Sequence, residues 1–188
     1  MKKVFTLHAG EYLTGSHIQN KFRQVNIWVP ANDTGIDLLV SDRDNRSFVS
    51  LQVKFSTDYR VAPLQRQSPV FQEKLKACGW WTLTDSKITK PHADYWVLVL
   101  QGFDSATVDY VVIPPQELAQ KLRSIHGGNP KHWQVYMWVT KTGLCWETRD
   151  LKKAERIQVA KDEFVSDPNR DFKKYLNAWE PIERLEKA

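Results

Sequence analysis

Residues 36–55 read IDLLVSDRDNRSFVSLQVKF, and the reading of this stretch decides the fold class. A turn centred between Asp44 and Asn45 sets Ile36 opposite Val53, Leu38 opposite Leu51 and Val40 opposite Val49, all of them apolar. The pairs on the other face are Asp37–Gln52, Leu39–Ser50 and Ser41–Phe48. Successive side chains of a strand alternate faces, so one side of this hairpin is a continuous aliphatic surface. A slip of one residue would send that whole set to the wrong side, so the register is strongly specified.

Chemistry follows from the pairing. Asp37 and Gln52 stand opposite each other, with Cβ atoms expected about 5 Å apart. Lys54 lies two residues beyond Gln52, on the same face. A carboxylate, a carboxamide and an amine therefore converge at one end of the hairpin. Hard cations such as Mg²⁺ take oxygen ligands. Asp37 offers a charged oxygen, Gln52 a neutral one, and the backbone carbonyl of Val53 a third. Lys54 can position or deprotonate a water, since a nearby cation and partial burial both lower an ammonium pKa. The plain alternative is a structural Asp37–Lys54 ion pair on a half-exposed face.

Working outward, residues 9–22 read as a helix with Tyr12, Leu13, Ile18 and Phe22 on one apolar side. Val25–Val29 is a short strand ended by Pro30, and Ala31–Gly35 is a turn-rich loop. Ser56–Pro91 reads as irregular, with one helix near Val70–Cys78. Asp94–Gln101 and Asp109–Ile113 read as buried strands. Pro114 and Pro115 open a helix running to about Ile125, and His126-Gly127-Gly128-Asn129-Pro130 stops it. Trp133–Thr140 and Leu144–Thr148 suggest a second hairpin. A last helix is expected from Asn169 to about Trp179, broken by Pro181. The order indicates an α/β chain with a mixed central β-sheet flanked by helices. The expectation is a single domain over 1–188, with a motif-bearing core at about 9–56 and later strands and helices over 60–186.

At Gly10-Glu11, Gly35-Ile36-Asp37-Leu38-Leu39-Val40 and Leu51-Gln52-Val53-Lys54 the chain resembles the PD-(D/E)xK nuclease superfamily, the restriction-endonuclease-like fold. The Gln-x-Lys form looks like the variant of Mrr-type restriction endonucleases. The resemblance covers about residues 9–56. It implies Asp37 and Gln52 as metal ligands, Lys54 as the catalytic lysine, and Glu11 as a further acidic group near the metal. It also implies Mg²⁺, with Mn²⁺ as its substitute. Gln52 in place of an acid removes one negative charge and weakens metal affinity.

The remaining features narrow the choice. The chain has 188 residues and a formal charge of +5, which favours a polyanionic partner. No apolar run reaches the roughly 18–20 residues of a membrane span. The N-terminal apolar stretch is too short for an export signal, so a cytoplasmic protein is expected. Cys78 and Cys145 form no Cys-x-x-Cys, and the five histidines form no His-x-x-x-His pair, so neither points to zinc. No P-loop or Gly-x-Gly-x-x-Gly is present. Core packing is the expected use of Trp80, Trp81, Trp96 and Trp138. Lys152, Lys153, Lys161, Arg170, Lys173 and Lys174 are scattered basic residues, either a solvated surface or a phosphate track. The expected function is Mg²⁺-dependent endonucleolytic cleavage of DNA, restriction-type or Mrr-like. The alternatives are a Holliday-junction-type resolvase and an inactive nuclease-fold module that binds nucleic acid or protein. Double-strand cutting usually needs two sites, so a homodimer is also expected.

Overall fold

The computed structural model describes residues 8–32, 34–56, 68–102 and 107–187. Asp33 of the turn-rich loop, and residues 57–67 of the stretch read as irregular, lie outside the described residues. Helix α1 (Ala9–Lys21) leads into β1 (Val25–Trp28), β2 (Leu38–Asp42) and β3 (Phe48–Phe55). A short α2 (Pro69–Lys74) runs directly into β4 (Leu75–Thr84), and α3 (Asp85–Thr89) precedes β5 (Tyr95–Gln101) and β6 (Val108–Ile113). Then come α4 (Pro115–His126), β7 (His132–Thr140), β8 (Cys145–Glu147), α5 (Lys153–Ala160) and α6 (Glu180–Glu186).

The protein is α/β, with helices flanking a mixed sheet. Five strands form that sheet in the order β1-β2-β3-β5-β6. Only the β3–β5 pair is parallel. The hairpin register is the expected one: Leu38 faces Leu51, Leu39 faces Ser50, Val40 faces Val49 and Ser41 faces Phe48. Its turn is held by Asp42, whose carboxylate accepts the N–H groups of Arg46 (2.8 Å) and Ser47 (2.9 Å). Those bonds, Arg46 first, hold the Asp42 pKa below the usual carboxylate range. The regular ladder stops at Leu38, so the expected Ile36–Val53 pair does not form part of it.

A second sheet, β4-β7-β8, was not anticipated as a separate layer. Its inward residues, among them Trp81, Leu83, Trp133 and Val135, pack on Trp96, Leu98, Val111 and Ile113 of the first sheet, and α4 closes this core with Leu118 and Leu122. On the other side of the five-stranded sheet, Leu38, Leu51, Val53, Val97 and Val112 meet Ile18 of α1 and Ile182 and Leu185 of α6. A third cluster joins α2 and α5 to the outer face of the second sheet through Phe71, Trp138, Trp146 and Val159.

Three expectations are corrected. The helix read at Val70–Cys78 ends at Lys74, because Leu75–Thr84 finds a full-length antiparallel partner in β7. The last helix does not span Asn169–Trp179. That stretch holds 3-10 turns at Pro168–Arg170 and Lys173–Tyr175, and α6 starts at Glu180 with Pro181 in its first turn. Proline costs nothing there, since the first helical N–H groups have no intrahelical acceptor. Finally, the buried stripe of α1 is Gly10, Thr14 and Ile18, and Tyr12 is 61% exposed.

Gly10 explains that rotation. A Cβ on it would lie 2.8 Å from Phe55 Cβ and 3.3 Å from Val53 Cγ1, so the missing side chain lets α1 settle on β3. Gly10→Ala gains helix propensity of about 1 kcal/mol but must lift the helix off the sheet. A net loss of roughly 1–2 kcal/mol is expected in urea denaturation, and a stabilised variant would show that α1 is free to move.

His17 packs against the rings of Tyr110 and Trp179, at centroid distances of 4.8 and 5.1 Å, and those two rings also touch each other. Its Nε2 is buried with no hydrogen-bond partner among the described residues. Burial first, and then the charge of Lys21, hold its pKa below 6.5. The unfolded chain therefore takes up a proton that the folded chain refuses until lower pH. This contribution to stability is intact above 6.5 and is lost as pH falls from there through the folded-state value. Thermal melts at about pH 7.5 and about pH 5.5 should differ more for the parent than for His17→Phe. Identical pH dependence in the two would remove this account.

Candidate functional site

Asp37 sits where β2 leaves the ladder. Its N–H donates to the Leu51 carbonyl at 2.8 Å. Gly35, at φ +85°, lets the chain swing away just before it, and no L side chain adopts that angle easily. With the ladder broken, the carboxylate takes over as acceptor: Asp37 Oδ2 receives the Val53 N–H at 2.6 Å and also the Gln52 amide N–H. Local geometry thus brings Asp37 and Gln52 together as the alternation requires.

Lys54 Nζ is 4.0 Å from Asp37 Oδ2. The Asp37 side chain is 15% exposed and that of Lys54 32%, so both reach solvent at the end of β3. Lys54 Nζ also stands 5.8 Å from the centroid of the Trp96 ring, an outer-range cation–π contact. Parallel pairing places Gln52 beside Trp96 and Lys54 beside Leu98, so the polar groups share the face that meets the second sheet. The Trp81 indole N–H donates to the Lys54 carbonyl at 3.1 Å and anchors the strand end. Neither tryptophan has a local sequence signal for this role. Trp96 becomes a neighbour only through the parallel β3–β5 pairing, and Trp81 only through the packing of the two sheets.

Asp94 is a further acid on this face. Its carboxylate accepts the Ser50 N–H at 2.8 Å and the Ser50 hydroxyl at 2.7 Å. The strand start at Asp94 was legible, but its tie to β3 was not, because the two are joined by a non-local parallel pairing.

Glu11, the expected fourth group, lies on α1. Its carboxylate accepts the N–H of His8 at 3.1 Å and caps α1. The helix packs on the Val53 side of β3, whereas Gln52 and Lys54 project from the opposite side. The structure gathers Asp37, Gln52, Val53 and Lys54, while the contact it shows for Glu11 is the cap of α1. Of the late basic residues read as either a solvated surface or a phosphate track, Arg170 is buried and paired with Glu147 at 2.7 Å, and the exposed Lys174 is paired with Glu117 at 2.8 Å.

Among the described residues no three His, Cys, Asp or Glu side chains converge as a metal-holding group. A cation at the hairpin would rest on one carboxylate with neutral oxygens. Val53 directs its N–H to Asp37, and a strand residue's carbonyl points the same way as its N–H. With the Gln52 amide turned so that its oxygen, in place of the N–H now bonded to Asp37, faces the cation, the donor set of Asp37, Gln52 and the Val53 carbonyl would be all oxygen, which fits a hard cation. It also fits Mg²⁺ in particular, which is commonly held by one or two carboxylates together with substrate phosphates. Among the described residues no helix is long and apolar enough to cross a membrane. Set against family models, curated proteins and solved structures, the chain matches none.

Proposed function

We propose that the protein is a divalent-cation-dependent phosphodiesterase that cleaves DNA, an endonuclease of the restriction or Mrr-like type. The observation that carries this reading is the convergence of Asp37, Gln52 and Lys54 at a solvent-reached strand end, with the ammonium 4.0 Å from the carboxylate. The resemblance of this hairpin to the PD-(D/E)xK pattern supports it.

In this reading Asp37 supplies the only full negative charge to a cation, and Gln52 and the Val53 carbonyl supply neutral oxygens. A bound Mg²⁺ or Mn²⁺ would contribute Lewis-acid polarisation of the phosphodiester and a more acidic bound water. Lys54 orients the attacking water and offsets the negative charge that builds on the phosphoryl oxygens. Trp96 lies under the Lys54 ammonium and limits where that charge can move. With Asp37 as the single carboxylate, these residues would hold a divalent cation weakly by themselves, and a substrate phosphate would strengthen its binding. The test is a cleavage panel of plasmid and four-way-junction DNA with Mg²⁺, with Mn²⁺ and with chelator. Junction-only cutting selects the resolvase form. No cutting in either metal rejects the reading.

One observation favours a second reading. The Asp37 carboxylate satisfies the Val53 N–H where the ladder breaks, so it also locks the hairpin. A nucleic-acid-binding module could retain the residue for that purpose alone. Salt-sensitive DNA binding without cleavage in any divalent ion is the signature of that module.

A further inference from the structure

Two sheets present four edges, and coil segments close three of them. On the second sheet, Trp80 of β4 donates its N–H to Ser56 Oγ at 3.0 Å, and Ala77 bridges to Gly102. Across that sheet, β8 is covered by Asp171, bridged to Trp146, and by Phe172, whose N–H donates to Cys145 O at 2.8 Å. On the first sheet, β6 is covered by Leu176, bridged to Val111, and by Asn177, whose N–H donates to Tyr110 O at 2.6 Å. The fourth edge is β1. Among the described residues its backbone pairs with β2 and with nothing on the outer side.

The guard that β1 itself supplies is its length of four residues; Val25–Trp28 contains no charge, no proline and no bulge. Trp28 is 49% exposed and Val29 45%, and exposed Tyr12 stands beside them. With α1 they line a groove of 680 Å³ that carries Glu11 and Arg43. These charges lie at opposite ends. Arg43 follows Asp42, which pairs with Val25, while Glu11 is in the first turn of α1, whose chain returns through β1 toward Trp28.

We propose that β1 is a homodimer interface, where a second copy of this chain adds its own β1 antiparallel across a two-fold axis. Antiparallel self-pairing is closed, so it yields a dimer and not a fibre. It continues the five-stranded sheet of one copy into that of the other. The joined strands carry Tyr12 and Val29 of both copies along the face that holds α1, and Trp28 of both copies on the opposite face, where its indole N–H donates to Ser41 Oγ at 3.2 Å. The reversal brings the Glu11 end of each copy to the Arg43 end of the other, so the charges complement. A strand from an unrelated protein would have no reason to match both ends of the groove.

This proposal does not depend on the nuclease reading, because its test measures mass and exchange, not cleavage. The full chain at micromolar concentration should sediment at twice its mass of 21.9 kDa. Val29→Lys and Tyr12→Lys, both at exposed side chains, should each weaken the dimer at least tenfold with unchanged circular dichroism. Amide exchange at Val25–Trp28 should slow as protein concentration rises. A parent that sediments as a monomer overturns the proposal, whatever other strand then covers the edge. So does a dimer that neither variant weakens.

Discussion

Lys54→Ala is expected to lower divalent-dependent DNA cleavage by about 10²–10³-fold with little loss of stability. The stability side follows from geometry. The Lys54–Asp37 pair is long at 4.0 Å, and the lysine is one-third exposed. Such a pair contributes about 0–1 kcal/mol, and the Trp96 contact adds a similar amount at most. The kinetic side follows from the proposed function, since the ammonium stands beside Asp37. Asp37→Asn should cause a comparable kinetic loss by removing the charge that attracts the cation. Asparagine keeps a carbonyl oxygen for the Val53 N–H. Alanine would leave that N–H and the Gln52 amide without their acceptor, at about 1–3 kcal/mol. Single-turnover rates and urea melts of parent, Lys54→Ala and Asp37→Asn decide between chemistry and scaffolding. Should both variants cut as fast as the parent, the hairpin is structural and the enzymatic reading is wrong.

The largest loss of stability is expected at Glu147. Its side chain is fully buried at the end of β8, and Oε2 lies 2.7 Å from the Arg170 guanidinium. Oε1 accepts the N–H groups of Tyr136 (3.2 Å) and Arg149 (3.1 Å). Arg170 also donates to the Arg149 carbonyl at 2.8 Å and pairs with Asp167 at 3.3 Å. The pair thereby pins the segment that closes the β8 edge. Glu147→Ala leaves the buried Arg170 guanidinium with the part-exposed Asp167 as its remaining carboxylate partner among the described residues and removes the acceptor of two part-buried N–H groups, so a loss of roughly 3 kcal/mol is expected in urea denaturation. Replacing both members, Glu147→Leu with Arg170→Met, should cost clearly less than the single change, because no uncompensated charge remains. Equal losses for single and double variants would mean that the backbone bonds, and not the ion pair, hold this corner.

The hairpin could be read from the chain alone because its determinants are local. Alternation over Leu38–Asp42 and Phe48–Phe55, with a polar turn between them, leaves one register that keeps the apolar set on one face. The same alternation set Asp37 and Gln52 together and placed Lys54 beside them. The proline-led α4 and the strands β5 and β6 were legible for similar reasons: start signals and continuous apolar runs act within a few residues. Tertiary structure decided the rest. Leu75–Cys78 is apolar enough for a helix or a strand, and β7 chose the strand by pairing along its length. Residues 169–179 look helical in isolation, but Phe172 and Asn177 are drawn to the edges of β8 and β6, and the helix waits until Glu180. Arg170 looks like a surface charge until Glu147, 23 residues away, buries it. The close approach of Gly10 to β3 was likewise set by the fold and not by any local pattern. Periodicity tells which side chains share a face, whereas only long-range packing tells what that face meets.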